Sequence, residues 1–426
     1  MSRVRRLFPL PALLFTIAGV VVTPSGALAA AECTTDPRPG QMVSQVPVEQ
    51  LILAARRVWP TTTGRQVTVA VLDTGVDGRH PQLRGALRRG WDFVAQEPGG
   101  TVDCAGHGTA VAGLVGARPA DGVGFSGIAP GVTVLPVRIA DRLATGDRVL
   151  PGVLAVAIRW AAAQGASVIT VPVVADRPTA ALRAAVEYAQ ARDALVVAAA
   201  GTRASELTTD PTVPDQPSYP AAYPGVLGVG AVDAAGVRVN NSPVGSHVDI
   251  VAPGSNVLTT APARGHTALS GTAMAAPAVA ATAALVRAAH PKLSAVEVAQ
   301  RLVATANPVA GGSGSVAYGG GMVDPYRAVT EVLHGGAPRV QPGMPVRDID
   351  EEALRRDARW RSLAAAAVAI AAAIGLVLLG CAAVLLVHRR MRRGPEPAPS
   401  TVDEHGDDVE LAELYFTPPK PPQHRT

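Results

Sequence analysis

Three short segments carry residue types that could do acyl-transfer chemistry. Val71-Leu72-Asp73-Thr74-Gly75-Val76-Asp77 ends an apolar run on a carboxylate. Gly106-His107-Gly108-Thr109-Ala110-Val111-Ala112-Gly113 sets an imidazole at a helix start, with glycines beside it that permit close backbone approach. Ser270-Gly271-Thr272-Ala273-Met274-Ala275-Ala276-Pro277 opens a long alanine-rich helix, whose N-terminal dipole favours developing negative charge. An imidazole can take a nucleophile's proton when a carboxylate holds it in the right tautomer, and Asp73 and His107 supply those two parts. The third part would be a nucleophile at the helix start, and there the chain has Ala273. Taken alone, Asp73-Thr74-Gly75 reads equally as half of an aspartic protease site. A core histidine and an Asp in a tight turn is the bland account. Three segments in one order outweigh both.

The elements that must position these residues alternate. Strands are predicted at Val67–Leu72, Val132–Val137, Val168–Val174, Ala194–Ala199, Val226–Val232 and Val248–Val251. Helices are predicted at Val48–Trp59, Thr109–Gly116, Val153–Gln164, Ala180–Ala191, Ala273–Ala289 and Ser294–Ala304, the first of them started by Pro47. Fully apolar strands between amphipathic helices imply an α/β fold with a mainly parallel sheet covered on both faces. Such sheets hold their sites at the carboxyl ends of the strands.

At 426 residues the chain has ample material for a core, and 48% hydrophobic content with 4% aromatics makes that core one of Ala, Val and Leu. The sequence pI near 9.2 does not signal nucleic-acid binding. Removing the arginines at 3, 5, 6, 389, 390, 392 and 393 takes the formal charge from +4 to −3, so the large middle offers no basic stripe to a phosphate backbone. Those arginines flank two hydrophobic segments instead. The first runs from Leu7 to Val22 and ends in Ala27-Leu28-Ala29, a secretory signal with cleavage after Ala29. The second, Leu363 to Val387, is long enough to cross a hydrocarbon core of about 30 Å, and His388-Arg389-Arg390-Met391-Arg392-Arg393 follows it on the cytoplasmic side. The expected organisation is a signal peptide at 1–29, an extension at 30–65, an extracytoplasmic domain at 66–333, a Pro-rich linker at 334–362, a transmembrane helix at 363–387 and a disordered cytoplasmic tail at 388–426. That is a single-pass type I protein of the cell membrane.

The order Asp, His, nucleophile position resembles that of the subtilases, over roughly Gln66 to Leu333, and differs from that of chymotrypsin and the α/β hydrolases. Within that family the chain is most similar to the mycosins, membrane-anchored subtilases associated with type VII secretion. Trp59-Pro60-Thr61-Thr62-Thr63-Gly64, Cys104 ahead of the histidine motif, the Pro-rich linker, the C-terminal span and the short basic tail carry the likeness. The resemblance implies a subtilisin-like three-layer fold, Asp73 and His107 as triad members, and a place beside a type VII secretion membrane complex.

The departures are as specific. Ala273 stands where the family has its attacking serine. Ala199-Ala200-Gly201 is followed by Thr202 where the family has an oxyanion-binding Asn, and a threonine hydroxyl is shorter. The substrate-binding strand, often Ser-Leu-Gly-Gly, reads Pro172-Val173-Val174-Ala175, and Val174 crowds a place where glycine lets an extended peptide lie close. The expected function is that of a pseudoprotease with a structural or docking role. The alternative is an active endopeptidase with another nucleophile, for which Ser270 and Thr272 are the nearest hydroxyls. Cys33 and Cys104, the two cysteines outside the membrane span, suit a disulfide in a secreted chain, two free thiols being the other possibility. The second ectodomain disulfide that other mycosins carry has no cysteines here. No cofactor motif is visible, and Asp73 with His107 is too small a set to hold a metal.

Overall fold

The computed structural model describes residues 33, 38–143, 148–175, 177–203, 215–309 and 314–333, with 375, 380–382 and 384–385. The chain divides into two units, Met1–Met344 and Pro345–Thr426. The segments expected as signal peptide, linker and tail lie outside the described residues, as does most of the expected span at 363–387, of which the six described residues are helical.

The first unit begins with α1 (Val48–Leu53), then β1 (Thr68–Asp73), the edge strands β2 (Gly90–Asp92) and β3 (Glu97–Gly99), α2 (His107–Gly116) and β4 (Thr133–Arg138). The middle comprises β5 (Arg148–Val149), α3 (Pro151–Ala163), β6 (Val168–Val171), β7 (Val174–Ala175), α4 (Ala180–Ala191), β8 (Leu195–Ala199) and β9 (Leu227–Val232). It closes with β10 (Ile250–Pro253), β11 (Val257–Thr260), β12 (His266–Leu269), α5 (Thr272–Ala289), α6 (Ala295–Ala304) and α7 (Pro325–Thr330).

Eight strands form the central sheet in the order β10-β9-β8-β6-β1-β4-β2-β3, and every pairing is parallel except that of β2 with β3. Alternate residues sort to opposite faces, as the pleat requires. Val69, Val71, Val134, Val197 and Val229 join one cluster with α2 and α5. Their neighbours Ala70, Leu72, Leu135 and Val196 are also buried but point away from that cluster, toward the layer built by α3 and α4. The result is three layers. β1 lies between β4 and β6, so the chain reverses its direction of travel across the sheet at β1. Asp73 is the last residue of that strand.

α5 is the central support. By length and composition it could cross a membrane, yet 78% of it is buried inside the domain, the position of a core helix. Small residues at Ala275, Ala276, Ala278, Ala280 and Ala281 let it sit deep against β6, β8, β9 and β10.

Several predicted elements need correction. The strand expected at Val168–Val174 splits into β6 and β7, because Pro172 has no N–H to donate to the ladder. The helix expected over Val48–Trp59 stops at Leu53, where Ala54 turns left-handed at φ 46°. That corner aims Arg56 at the Gly124 carbonyl and the Trp59 indole at the Ile128 carbonyl, fastening the extension to the loop after α2. The strand at Val248–Val251 begins two residues late, since Val248 donates to Gly245 in a turn. β2, β3, β5, the β11–β12 hairpin and α7 were not anticipated.

Candidate active site

β1 delivers Asp73 to the carboxyl edge of the sheet, fully buried. His107 is the first residue of α2, and its cap Gly106 adopts φ 86°, a conformation that side chains with a Cβ resist. Gly108 is needed for a different reason: a Cβ there would sit 2.0 Å from the Gly75 carbonyl oxygen. With the two turns in contact, His107 Nδ1 lies 2.8 and 2.9 Å from the Asp73 carboxylate oxygens. A carboxylate only accepts, so Nδ1 carries the proton and Nε2 is left as the acceptor. Burial pushes the His107 imidazole down. The charge and hydrogen bonds of Asp73, with the charge of Asp103, more than offset that and leave its pKa above the usual histidine value.

Asp103 organises this corner and went unnoticed in the sequence. Its Oδ1 accepts from the Thr74 hydroxyl at 2.8 Å and from the Ala105 and Gly106 amides, and its Oδ2 accepts from the amide and hydroxyl of Thr109. Thr74 also accepts from the Gly108 amide, and its own amide donates to Asp73 at 2.7 Å. The carboxylate is buried, which raises its pKa, while these donors pull it back only in part. The one available signal was its place beside Cys104, four residues ahead of His107. Cys104 is bonded to Cys33, with Cα atoms 5.4 Å apart, so the extension is covalently tied to the loop that carries Asp103.

Ala273 is the second residue of α5, and Thr202 follows the Gly201 turn at the end of β8. His107, Val174, Gly201, Thr202 and Ala273 line one cleft of about 100 Å³. The structure thus gathers every residue singled out for the site, with Asp73 beneath His107. The two neighbouring hydroxyls are committed elsewhere. Thr272 Oγ1 donates to the Gly201 carbonyl at 2.8 Å, and Ser270 Oγ accepts from the Asn256 amide at 2.8 Å. The arrangement orients an imidazole as a proton acceptor toward a helix start whose side chain is a methyl group.

The model of the subtilase family matches residues 64–322. The chain belongs to the subtilase family. This subtilase is 37% identical over 273 residues to a thermophilic serine proteinase of Bacillus sp. (strain AK1), covering 64% of each protein. It therefore spans just under two thirds of that relative's length. It is 35% identical over 264 residues to a subtilisin of Bacillus pumilus, covering 62% of this chain and 90% of the relative. Among solved structures it is similar to the MycP3 protease from the type VII (ESX-3) secretion system, at 33% identity and a TM-score of 0.60 over 70% of this chain and 93% of that one. The likeness to MycP1 from Mycobacterium smegmatis is of the same order, with 31% identity, a TM-score of 0.61, and 71% and 90% coverage. The subtilisin-like fold and the mycosin resemblance expected from the sequence are both borne out.

Proposed function

We propose that this subtilase is a non-catalytic, mycosin-like protein, held in the membrane by one C-terminal helix with its subtilase domain outside. It serves as a structural or docking component of a type VII secretion membrane complex. The observation that carries this reading is Ala273 beside an otherwise assembled Asp73–His107 pair. A methyl group has no lone pair to attack a carbonyl and no proton for His107 to take. Thr202 in place of the oxyanion Asn supports the same conclusion. The engagement of Ser270 and Thr272 by backbone partners weighs against a substitute nucleophile. The secretion setting rests on the similarity to MycP3, described as a protease of the type VII (ESX-3) system. The membrane setting rests on the apolar run 363–387 and the arginines after it.

Two experiments test the parts separately. The purified chain is incubated with a fluorophosphonate probe, and no stoichiometric labelling is expected; full labelling would refute the non-catalytic reading. The chain is also solubilised from membranes in mild detergent. Co-purification with secretion-channel components is expected, and recovery solely as a free monomer would count against the docking role.

A further inference from the structure

β7 belongs to the segment that offers a backbone edge to an extended peptide in this family, and here that edge is occupied. β5 pairs with it in parallel, Arg148 opposite Val174 and Val149 opposite Ala175. On its other side the Ala175 amide donates to the Tyr219 carbonyl at 2.7 Å in an antiparallel bridge. The 174–175 backbone is thus engaged on both flanks. Paired strands lie about 4.8 Å apart, so a guest strand inserted between β5 and β7 would need them parted to about twice that distance.

The side chains hold the pair shut. Val149, Val173, Val174 and Ala175 are all buried, and Val174 Cγ1 lies 3.3 Å from where a Cβ on Gly201 would stand. Parting the strands would expose these apolar groups and break the ladder before any guest contact formed. Around His107 and Ala273 a cleft of about 100 Å³ remains open, and a separate cavity of about 280 Å³ lies against β5, lined by Ile139, Leu143, Val149 and Val153. Sites for drug-sized ligands run to roughly 300–1,000 Å³.

We infer that β5 fills the groove in which an extended peptide would lie, so that this site excludes polypeptide strands and admits only small groups beside His107. The inference deepens the non-catalytic reading: the cleft is then not the docking surface, and partners must engage the outside of the domain. It concerns binding alone, so it stands or falls separately from the labelling experiment, which reads only the nucleophile.

The test uses the full chain in detergent, with Ala273 unchanged so that nothing is cleaved. Unfolded β-casein, which offers many extended sequences, is the probe, read by biolayer interferometry. A double variant, Val149→Pro with Val174→Gly, is expected to bind saturably, and the parent to show no saturable binding at protein concentrations up to about tenfold higher. The proline removes the Val149 amide, which the parallel register turns toward β7, and the glycine removes the side chain packed on Gly201. Arg148→Ala, which keeps the backbone, should behave like the parent. Casein binding by the parent as tight as by the folded double variant would overturn the inference, and so would a folded double variant that gains nothing. Hydrogen exchange on the parent keeps it testable if the double variant fails to fold. Slow exchange of the Val149, Val174 and Ala175 amides, comparable to β6, is expected; exchange at free-loop rates would overturn it.

Discussion

Restoring a hydroxyl at residue 273 probes the whole site at once. In subtilisin, a relative of this chain, losing the serine costs about 10⁶ in turnover, or about 8 kcal/mol of transition-state stabilisation. Ala273→Ser should recover only part of this. His107 is already oriented by Asp73 at 2.8 and 2.9 Å, so the base needs no rebuilding. Thr202 remains where the resemblance expects the oxyanion-binding Asn, whose removal in subtilisin costs roughly 10²–10³. The single variant should therefore hydrolyse a p-nitrophenyl ester roughly 10³–10⁴ faster than the parent, and Ala273→Ser with Thr202→Asn a further 10²–10³ faster. A small ester is the right substrate, because it reaches His107 without entering the space that β5 occupies. The active fraction is titrated with fluorophosphonate, and the rate is followed against pH. His107 must be neutral to accept the proton, and its pKa is raised, so the rate should climb through a midpoint above the usual histidine value. If Ala273→Ser is fully folded yet no faster than the parent, the Asp73–His107 pair does not serve residue 273, and the reading of the site fails.

Three further outcomes are expected from the surrounding structure. Cys33→Ser should cost about 4 kcal/mol, from the loop of 71 residues that the bridge closes, and lower the thermal midpoint by roughly 8–16 °C, measured by differential scanning fluorimetry with and without reductant. Burial holds the His80, His247 and His266 pKa values below the usual 6.5, so these rings are neutral in the fold while the unfolded chain takes up protons as pH falls through 6.5. Stability should drop below that pH. His107, with its raised pKa, opposes the trend, and His266→Gln should flatten it; denaturant midpoints that do not change between pH 5 and 7.5 would refute the assignment. Asp249 is pushed up to about 6 by burial, which the hydrogen bond from the Gly228 amide offsets only in part. Asp249→Asn keeps an acceptor for that amide and should stabilise the domain by about 1–3 kcal/mol at pH 7, an advantage that vanishes below about pH 4.

The sequence made the sheet legible where strands were long and apolar. β1, β4, β8 and β9 each appear within a residue or so of their predicted starts, because burial on both faces leaves an unbroken Val/Ala/Leu run. Among the short strands, β2, β3, β5, β11 and β12 escaped notice. β11 and β12 contain Thr259, Thr260, His266 and Thr267, and what makes them strands is their pairing across the Pro262–Gly265 turn, a tertiary fact. Val174 was read from the sequence as an obstruction, but its partner in β5 was invisible, since Arg148 and Val149 carry no strand signal alone. The three site segments could be found because each brackets a functional position with glycines or small residues. Asp103 could not, because its importance lies in five hydrogen bonds that exist only once the turns around Thr74 and Thr109 meet.

The burial of α5 has a consequence for how such a chain diverges over time. The place of residue 273 is fixed by fourteen buried residues along the helix, by the contacts that helix makes with the five strands β1, β6, β8, β9 and β10, and by the Thr272–Gly201 hydrogen bond. None of these depends on a nucleophile being present. A lineage that needs only the folded domain will therefore keep an empty seat for the serine as faithfully as one that needs the reaction. An assembled Asp73–His107 pair is thus inherited with the core, and selection for the scaffold is enough to preserve it.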